Sequence, residues 1–323
     1  MESALLQAAQ ALAAGELVAF PTETVYGLGA DATSDSAVAK IFAAKGRPAD
    51  HPLIVHVRDA SEVDRFADNV PDFARALMNA FWPGPLTVIL PRHPGVATAS
   101  AGGQDSVGLR CPAHPVAQEL LAACAKHGVY GISAPSANKF GKVSPTTAAH
   151  VRAEFGSELM VLDGGACDVG IESTIIDCTR GAPVLLRPGT LTREQLQTAL
   201  GPALLSSNDA LSLSAPRASG SLASHYAPSA TLRLMDAKAL QTALDLLGAD
   251  AKNIAIYARS PLKPASSHLV IRRMPSDALA TAQQLFAVLR DFDAQKVRLI
   301  WVETPPNEPA WEGVRDRLQR ASA

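Results

Sequence analysis

The residues of this chain that could do chemistry are cations and hydroxyls placed at the ends of apolar runs. In Lys45-Gly46-Arg47-Pro48, Gly46 and Pro48 disfavour helix, and Pro48 pushes Arg47 toward extended geometry. In an extended segment residues i and i+2 share a face, so both cations would aim the same way. Such a pair receives phosphate or carboxylate, with the Arg47 guanidinium able to bind through two donors. A solvated basic turn explains the same residues equally well. The segment Pro21–Gly29 follows the first apolar run, and if extended it sets Thr22, Thr24 and Tyr26 on one face. That row of hydroxyls could hold a small polar ligand; an ordinary polar loop is the alternative.

His56 lies inside the apolar run Leu53–Val57, where a lone histidine is ordinarily a satisfied core residue. Arg110 ends the run Ser106–Arg110 and fits either a structural ion pair or a carboxylate clamp. After another apolar run comes Ser133-Ala134-Pro135-Ser136-Ala137-Asn138. Ser136 has no base partner in a recognised motif and reads as a hydrogen-bonding group for a ligand rather than a nucleophile. Ser144-Pro145-Thr146 predicts a helix start, whose free N–H groups suit phosphate, although capping alone accounts for Ser144. Gly170–Thr174 is a glycine-containing turn before a strand, and Arg187-Pro188-Gly189 sets a cation beside a tight turn. His225-Tyr226 adds an aromatic group that could close over a site. Phosphate-loop, HExxH, EF-hand and GxSxG motifs are absent, and no His, Asp and Glu residues share metal-ligand spacing.

The elements that must position these groups alternate. Apolar strand candidates fall at Leu17–Phe20, Leu53–Val57, Leu86–Leu90, Val107–Arg110, Tyr130–Ser133, Leu159–Leu162, Thr174–Asp177 and Val184–Leu186. Helical patterns occupy residues 3–14, 36–44, 61–81, 115–127 and 146–155. The mixture predicts an α/β or α+β domain around one large sheet. From Ser206 to Pro228 the composition turns to Ser, Ala, Pro and Gly, which reads as a linker. A second alternation of strands and helices follows and predicts a small parallel α/β sheet. No GxGxxG opens its first helix, so no dinucleotide site is assigned there. The boundaries are thus 1–205, 206–228 and 229–323.

A length of 323 residues suits two domains, and 47% hydrophobic with 19% charged residues suits a globular protein. The net charge of -2 supplies no basic field to hold nucleic acid. Four scattered cysteines without a CxxC pair read as free thiols in a reducing compartment. Glu2 and the lack of a basic cluster argue against a secretory signal, and no apolar run approaches the ~18 residues that span a membrane. The cytoplasm is the expected location.

In this order the segments PTETVYGLGADA, KGRP with HPLIVHV, WPGPLT, SVGLRCP, SAPSAN with SPT, GIESTIID, LLRPG and HYAP resemble the YrdC-type family over residues 1 to about 200. Over nearly the whole chain they resemble its long, two-domain threonylcarbamoyl-AMP synthases. The resemblance implies a twisted mixed sheet with a deep cleft, plus a smaller Rossmann-like C-terminal domain. It implies that Thr24, His56, Arg110, Ala134 and Ser173 surround L-threonine. Lys45, Arg47, His51, Ser106, Ser136, Ser144 and Arg187 would hold ATP, with Tyr226 reaching in from the linker and Lys45 and Arg47 as the catalytic cations. His51 stands where the family often has Asn, Ala134 can offer only backbone, and Ser219 replaces a frequent Pro.

The implied reaction joins threonine, bicarbonate and ATP, with Mg²⁺ carried by the phosphates. The product would pass to a tRNA threonylcarbamoyl-transferase complex, with a weak tRNA contact possible and no membrane partner. The rivals are an RNA-binding module with a basic cleft, and a related carbamoyl-transfer enzyme with another acceptor.

Overall fold

Short apolar runs bounded by glycine, proline or polar turns form the strands, and longer amphipathic runs form the helices that cover them. The computed structural model describes residues 2–201, 204–206, 216–220 and 225–323. Positions 207–215 and 221–224 of the expected linker therefore lie outside the described residues. Contacts divide the chain into one unit of Met1–Phe140 with Ser144–Ser221, and another of Gly141–Val143 with Leu222–Ala323.

The strands of the first unit are β1 (Val18–Phe20), β2 (Gly27–Asp31), β3 (Ile54–His56), β4 (Leu86–Pro91), β5 (Ser106–Arg110), β6 (Ile132–Ser133), β7 (Met160–Val161), β8 (Thr174–Asp177), β9 (Val184–Arg187) and β10 (Leu205–Ser206). Among the described residues they make one sheet in the order β10-β9-β8-β4-β5-β3-β6-β2-β1-β7, with parallel and antiparallel pairs mixed. The helices are α1 (Glu2–Ala13), α2 (Asp35–Lys45), α3 (Asp72–Phe81), α4 (Pro115–Ala125), α5 (Ala148–Phe155) and α6 (Arg193–Leu200).

Alternation fixes which side chains meet a ligand. Val55, Leu86, Val88, Leu90, Val107, Leu109, Ile176 and Leu185 face a buried core that also takes in Leu77 of α3 and Leu196 of α6. Their neighbours in sequence point to the opposite face. There the strand register sets His56 beside Arg110, Arg110 beside Thr87, Thr87 beside Ile175 and Ile175 beside Arg187. Arg187 reaches this row through a bulge. The pairing steps from Ile175–Arg187 to Ile176–Leu185, so Leu186 is extra and Arg187 falls on the face opposite Leu185.

The structure departs from the pattern of apolar runs in three places. The run 61–81 is broken into a 3₁₀ turn over Ala60–Arg65 and α3, because Asn69 takes φ 50° and Pro71 stands at the helix start. Residues 27–31, where no apolar run marks a strand, form β2. Glycine there reads against a strand, yet a Cβ on Gly29 would come within 2.8 Å of Ile132 and Phe20 side-chain atoms, so close packing demands glycine. Helix α6 lies outside the helical patterns of the sequence, and its capping box of Thr192 and Gln195 is the local signal for it.

The second unit holds β11 (Thr231–Met235), α7 (Ala237–Leu247), β12 (Ile254–Ala258), β13 (Val270–Arg273), α8 (Ala278–Ala294), β14 (Leu299–Glu303) and α9 (Glu312–Ala321). Its sheet runs β11-β14-β12-β13 with parallel pairs throughout, as the strand–helix alternation predicts. Asp236 and Asp277 cap α7 and α8 by accepting backbone N–H bonds at 2.7 and 2.8 Å. The four cysteines of the chain are buried free thiols. No helix among the described residues is long and apolar enough to cross a membrane.

Candidate active site

One end of the polar row is built on β3 and β5. The Arg110 guanidinium donates to the Glu23 carboxylate at 2.7 Å and to the Thr24 hydroxyl at 2.8 Å, while its buried Nε makes no hydrogen bond. Both readings left open for Arg110 are thus compatible with its geometry: it is ion-paired, and it keeps a buried donor. Glu23 also accepts from the Ala113 N–H at 3.0 Å. His56, 3% exposed, meets the Phe20 ring edge-on at 6.0 Å and its Nδ1 makes no hydrogen bond. Burial first, then the adjacent Arg110, pushes its pKa down to about 3, so the ring is neutral.

The expected hydroxyl row is only partly formed. Thr22 accepts and donates locally, donating to the Val25 carbonyl at 2.7 Å and meeting the Thr24 hydroxyl at 2.9 Å. That local turn keeps residues 22–25 from being extended. Tyr26 turns away and donates to the Gly165 carbonyl at 2.7 Å. Ala134 sits behind this region, and its N–H is taken by the Ile54 carbonyl at 2.9 Å, which leaves it no free donor.

At the other end, Arg187 of β9 donates from Nε to the Ser173 carbonyl at 3.0 Å and from Nη2 to the Ser173 hydroxyl at 3.1 Å. Its Nη1 reaches the carbonyl of Ser219 at 2.7 Å. Arg217 exchanges hydrogen bonds with Gln104 and donates to Asp50 at 3.0 Å and to the Gly102 carbonyl at 2.9 Å. Residues 217–219 therefore lie across the sheet face and roof a cavity floored by Ile54, Gly108, Thr87 and Ile175, with Ser106 on its wall. A Cβ on Gly108 would find its nearest neighbour at 3.5 Å, ordinary contact, so packing does not require glycine there; its absence of side chain opens the floor.

The cations Lys45 and Arg47 flank the turn that ends α2. Lys45 is helical rather than extended, Gly46 takes φ 65° as the left-handed cap, and the Arg47 N–H bonds back to Phe42 at 3.0 Å. The cap, not an extended strand, orients the two side chains. Lys45 Nζ donates to the carbonyls of Ser136, at 2.6 Å, and Asn138. Burial and the neighbouring Arg47 hold its pKa well below the ordinary lysine range. Arg47 donates to the Pro52 carbonyl at 2.9 Å and lies 5.7 Å from the Phe140 ring centre, against which His51 also packs at 5.4 Å. Burial and Arg47 also lower the His51 pKa.

Ser144 does not cap a helix. Thr147 caps α5, accepting from the His150 N–H at 3.2 Å, and the fully buried Ser144 hydroxyl instead donates to the Glu172 carboxylate. The two buried acids Glu23 and Glu172 were not singled out in the sequence. The signal was present: each stands one residue before a hydroxyl that was, Thr24 and Ser173. Tyr226 belongs to the second unit. It takes φ 61°, stacks on Phe286 at 5.5 Å and lies under the Arg317 guanidinium at 5.3 Å. Among the described residues no three His, Cys, Asp or Glu side chains gather as a metal cluster.

A family model described as telomere recombination, which groups Sua5, YciO and YrdC proteins, matches residues 10–189. A model of the threonylcarbamoyl-AMP synthase C-terminal domain matches residues 191–323. The threonylcarbamoyl-AMP synthase of Bacillus subtilis strain 168 is 37% identical over 326 residues, covering 98% of this chain and 92% of that protein. The chain belongs to the threonylcarbamoyl-AMP synthase family. Within that family it is of the long, two-domain form: a crystal structure of P. abyssi Sua5 complexed with L-threonine superposes with a TM-score of 0.88 at 36% identity, covering 100% of this chain and 95% of that one. A shorter relative, a putative threonylcarbamoyl-AMP synthase of Mycobacterium tuberculosis, is 39% identical but covers 61% of this chain.

Proposed function

We infer that this chain is an L-threonylcarbamoyladenylate synthase, using L-threonine, bicarbonate and ATP and releasing pyrophosphate. This is the first step of N6-threonylcarbamoyladenosine formation in tRNA. The supporting observation is full-length relatedness to synthases of that name, together with a sheet face on which buried cations and hydroxyls converge.

The reaction needs threonine's amine to add to the carbon of bicarbonate with loss of water. A carbamate oxygen then attacks the α-phosphorus of ATP, the bond to the β-phosphate oxygen breaks, and pyrophosphate leaves. No covalent protein intermediate is required, and among the described residues no hydroxyl of the site is hydrogen-bonded to His56 as a nucleophile would be to its base. Positioning and charge neutralisation carry the rate.

Arg110, held by Glu23 and Thr24, takes threonine's carboxylate through N–H groups that neither of them occupies. Neutral His56, with Thr24, Ser173 and the Ala134 carbonyl, completes that pocket. Lys45, Arg47 and Arg187 take the phosphates, and His51, Ser106, Ser136 and Ser144 contact the nucleotide. A polyphosphate beside Lys45 adds to the countercharge of Glu154 and favours the ammonium form against burial and Arg47. Tyr226 is assigned to ATP by resemblance alone, and residues 206–228 are assigned as a linker between a catalytic domain at 1–205 and a small domain at 229–323. Mg²⁺ enters as part of the nucleotide substrate and neutralises phosphate charge; no residue of this chain is assigned to it. We place the reaction in the cytoplasm, with the product handed to a tRNA threonylcarbamoyl-transferase complex, and any direct tRNA contact is weak.

The experiment is pyrophosphate release with each substrate omitted in turn and other amino acids in place of threonine. Release that requires both threonine and bicarbonate supports the reading. Release indifferent to threonine favours the carbamoyl-transfer rival, and no release with salt-sensitive RNA binding favours the RNA-binding one.

A further inference from the structure

The row across the sheet contains one polar residue to which no role has been given. Thr87 stands between Arg110 on β5 and Ile175 on β8, and it is fully buried. Its hydroxyl lies 2.8 Å from the Ser173 hydroxyl, its single hydrogen-bond partner among the described residues. The Ser173 oxygen receives a second contact from Arg187 Nη2 at 3.1 Å. A guanidinium only donates, so Ser173 must accept there. One question decides what Ser173 can offer a substrate: which hydroxyl donates in the Thr87–Ser173 pair.

If Ser173 donated to Thr87, its only proton would be used up inside the protein. If Thr87 donates, both lone pairs of the Ser173 oxygen are occupied and its proton is left to point in one remaining direction. A hydroxyl that must recognise an anionic group needs that proton. We propose that Thr87 is a positioning residue for L-threonine: it donates to Ser173 and thereby presents the Ser173 proton to a carboxylate or carbamate oxygen of the substrate. This rests on the synthase reading above and assigns Thr87 an effect on the amino acid rather than on the nucleotide. Arg187 is anchored independently, through the Ser173 and Ser219 carbonyls, so the phosphate side does not depend on the Thr87 hydroxyl.

The test compares Thr87→Val, which removes the hydroxyl at similar shape, with Thr87→Ser, which keeps it, in the full-length protein. Wild-type pyrophosphate release that depends on threonine is the prior check on the reaction itself. Thr87→Val is expected to raise KM for threonine about tenfold, the scale of one hydrogen bond to a charged group, with KM for ATP unchanged. Thr87→Ser is expected to recover most of that loss. In a Ser173→Ala background, Thr87→Val should add nothing further. An unchanged or lower KM for threonine in Thr87→Val would mean that Ser173 is the donor and would overturn the proposal. So would an equal rise for both substrates, a serine variant as impaired as the valine one, or fully additive losses in the double variant. If Thr87→Val does not fold, Thr87→Ala takes its place, compared with Thr87→Ser and combined with Ser173→Ala in the same way.

Discussion

At the residue scale, the site works with groups whose charge is decided by burial. His56 is neutral because desolvation and Arg110 together disfavour its protonated form. Its folded-state pKa lies below the ordinary value of roughly 6.5, so the unfolded chain takes up the proton first. Stability from the neutral ring is present above about 6.5 and is lost progressively as pH falls toward about 3. Urea-unfolding midpoints of wild type should therefore drop more between pH 7 and 5 than those of His56→Gln; an equal drop would remove His56 from the explanation. For the same reason KM for threonine should show no inflection near pH 6.5. Arg47 illustrates the opposite weighting. It is buried, donates to the Pro52 carbonyl and packs on Phe140, so Arg47→Ala should cost about 1–2 kcal/mol of stability and at least about a hundredfold in kcat/KM. Retained turnover in a folded Arg47→Ala protein would sink the phosphate role.

At the element scale, two glycines separate backbone cost from steric cost. Gly46 caps α2 at φ 65° with nothing within 4 Å of an added Cβ, so Gly46→Ala should cost about 1 kcal/mol through conformation alone. A Cβ on Gly189 would lie 2.6 Å from the Thr174 backbone nitrogen and 3.0 Å from the Ser173 carbonyl carbon. Gly189→Ala should therefore cost more, on the order of 2–3 kcal/mol, and should also raise KM for threonine by displacing Ser173. Thermal unfolding of the two variants checks the order, and a milder Gly189→Ala would contradict the close packing. Much of this layer was legible in the sequence. The apolar runs at 53–57, 86–90, 107–110, 174–177 and 184–186 marked strands, because period-two burial leaves a pattern in residue types. What stayed hidden were features set by contact. The glycine-rich β2 reads as loop until Phe20 and Ile132 are seen against it, and the bulge that turns Arg187 toward Ile175 is a property of pairing, not of one strand.

At the scale of the whole molecule, the family motifs carried the site further than residue chemistry did. Lys45 and Arg47 alone fit a basic turn, and only the ordered set of segments pointed to a nucleotide and an amino acid. Geometry then supplied what the motifs lacked, namely the partners Glu23, Glu172 and Thr87. The roof formed by Arg217–Ser219 gives the linker region a testable role, because it contributes the Ser219 carbonyl that holds Arg187. Removing residues 206–323 should lower pyrophosphate release, through loss of that carbonyl and of Tyr226. A truncated chain as active as the full one would make the linker a tether only.

The central claim is that one carbon from bicarbonate ends up between threonine's nitrogen and the phosphate of AMP. The most direct measurement is mass spectrometry of the product formed from ¹³C-bicarbonate, L-threonine and ATP. We predict a single adduct containing threonine, AMP and one ¹³C atom, formed together with pyrophosphate. An unlabelled threonine–AMP adduct, or labelled product made equally well without threonine, would contradict the account.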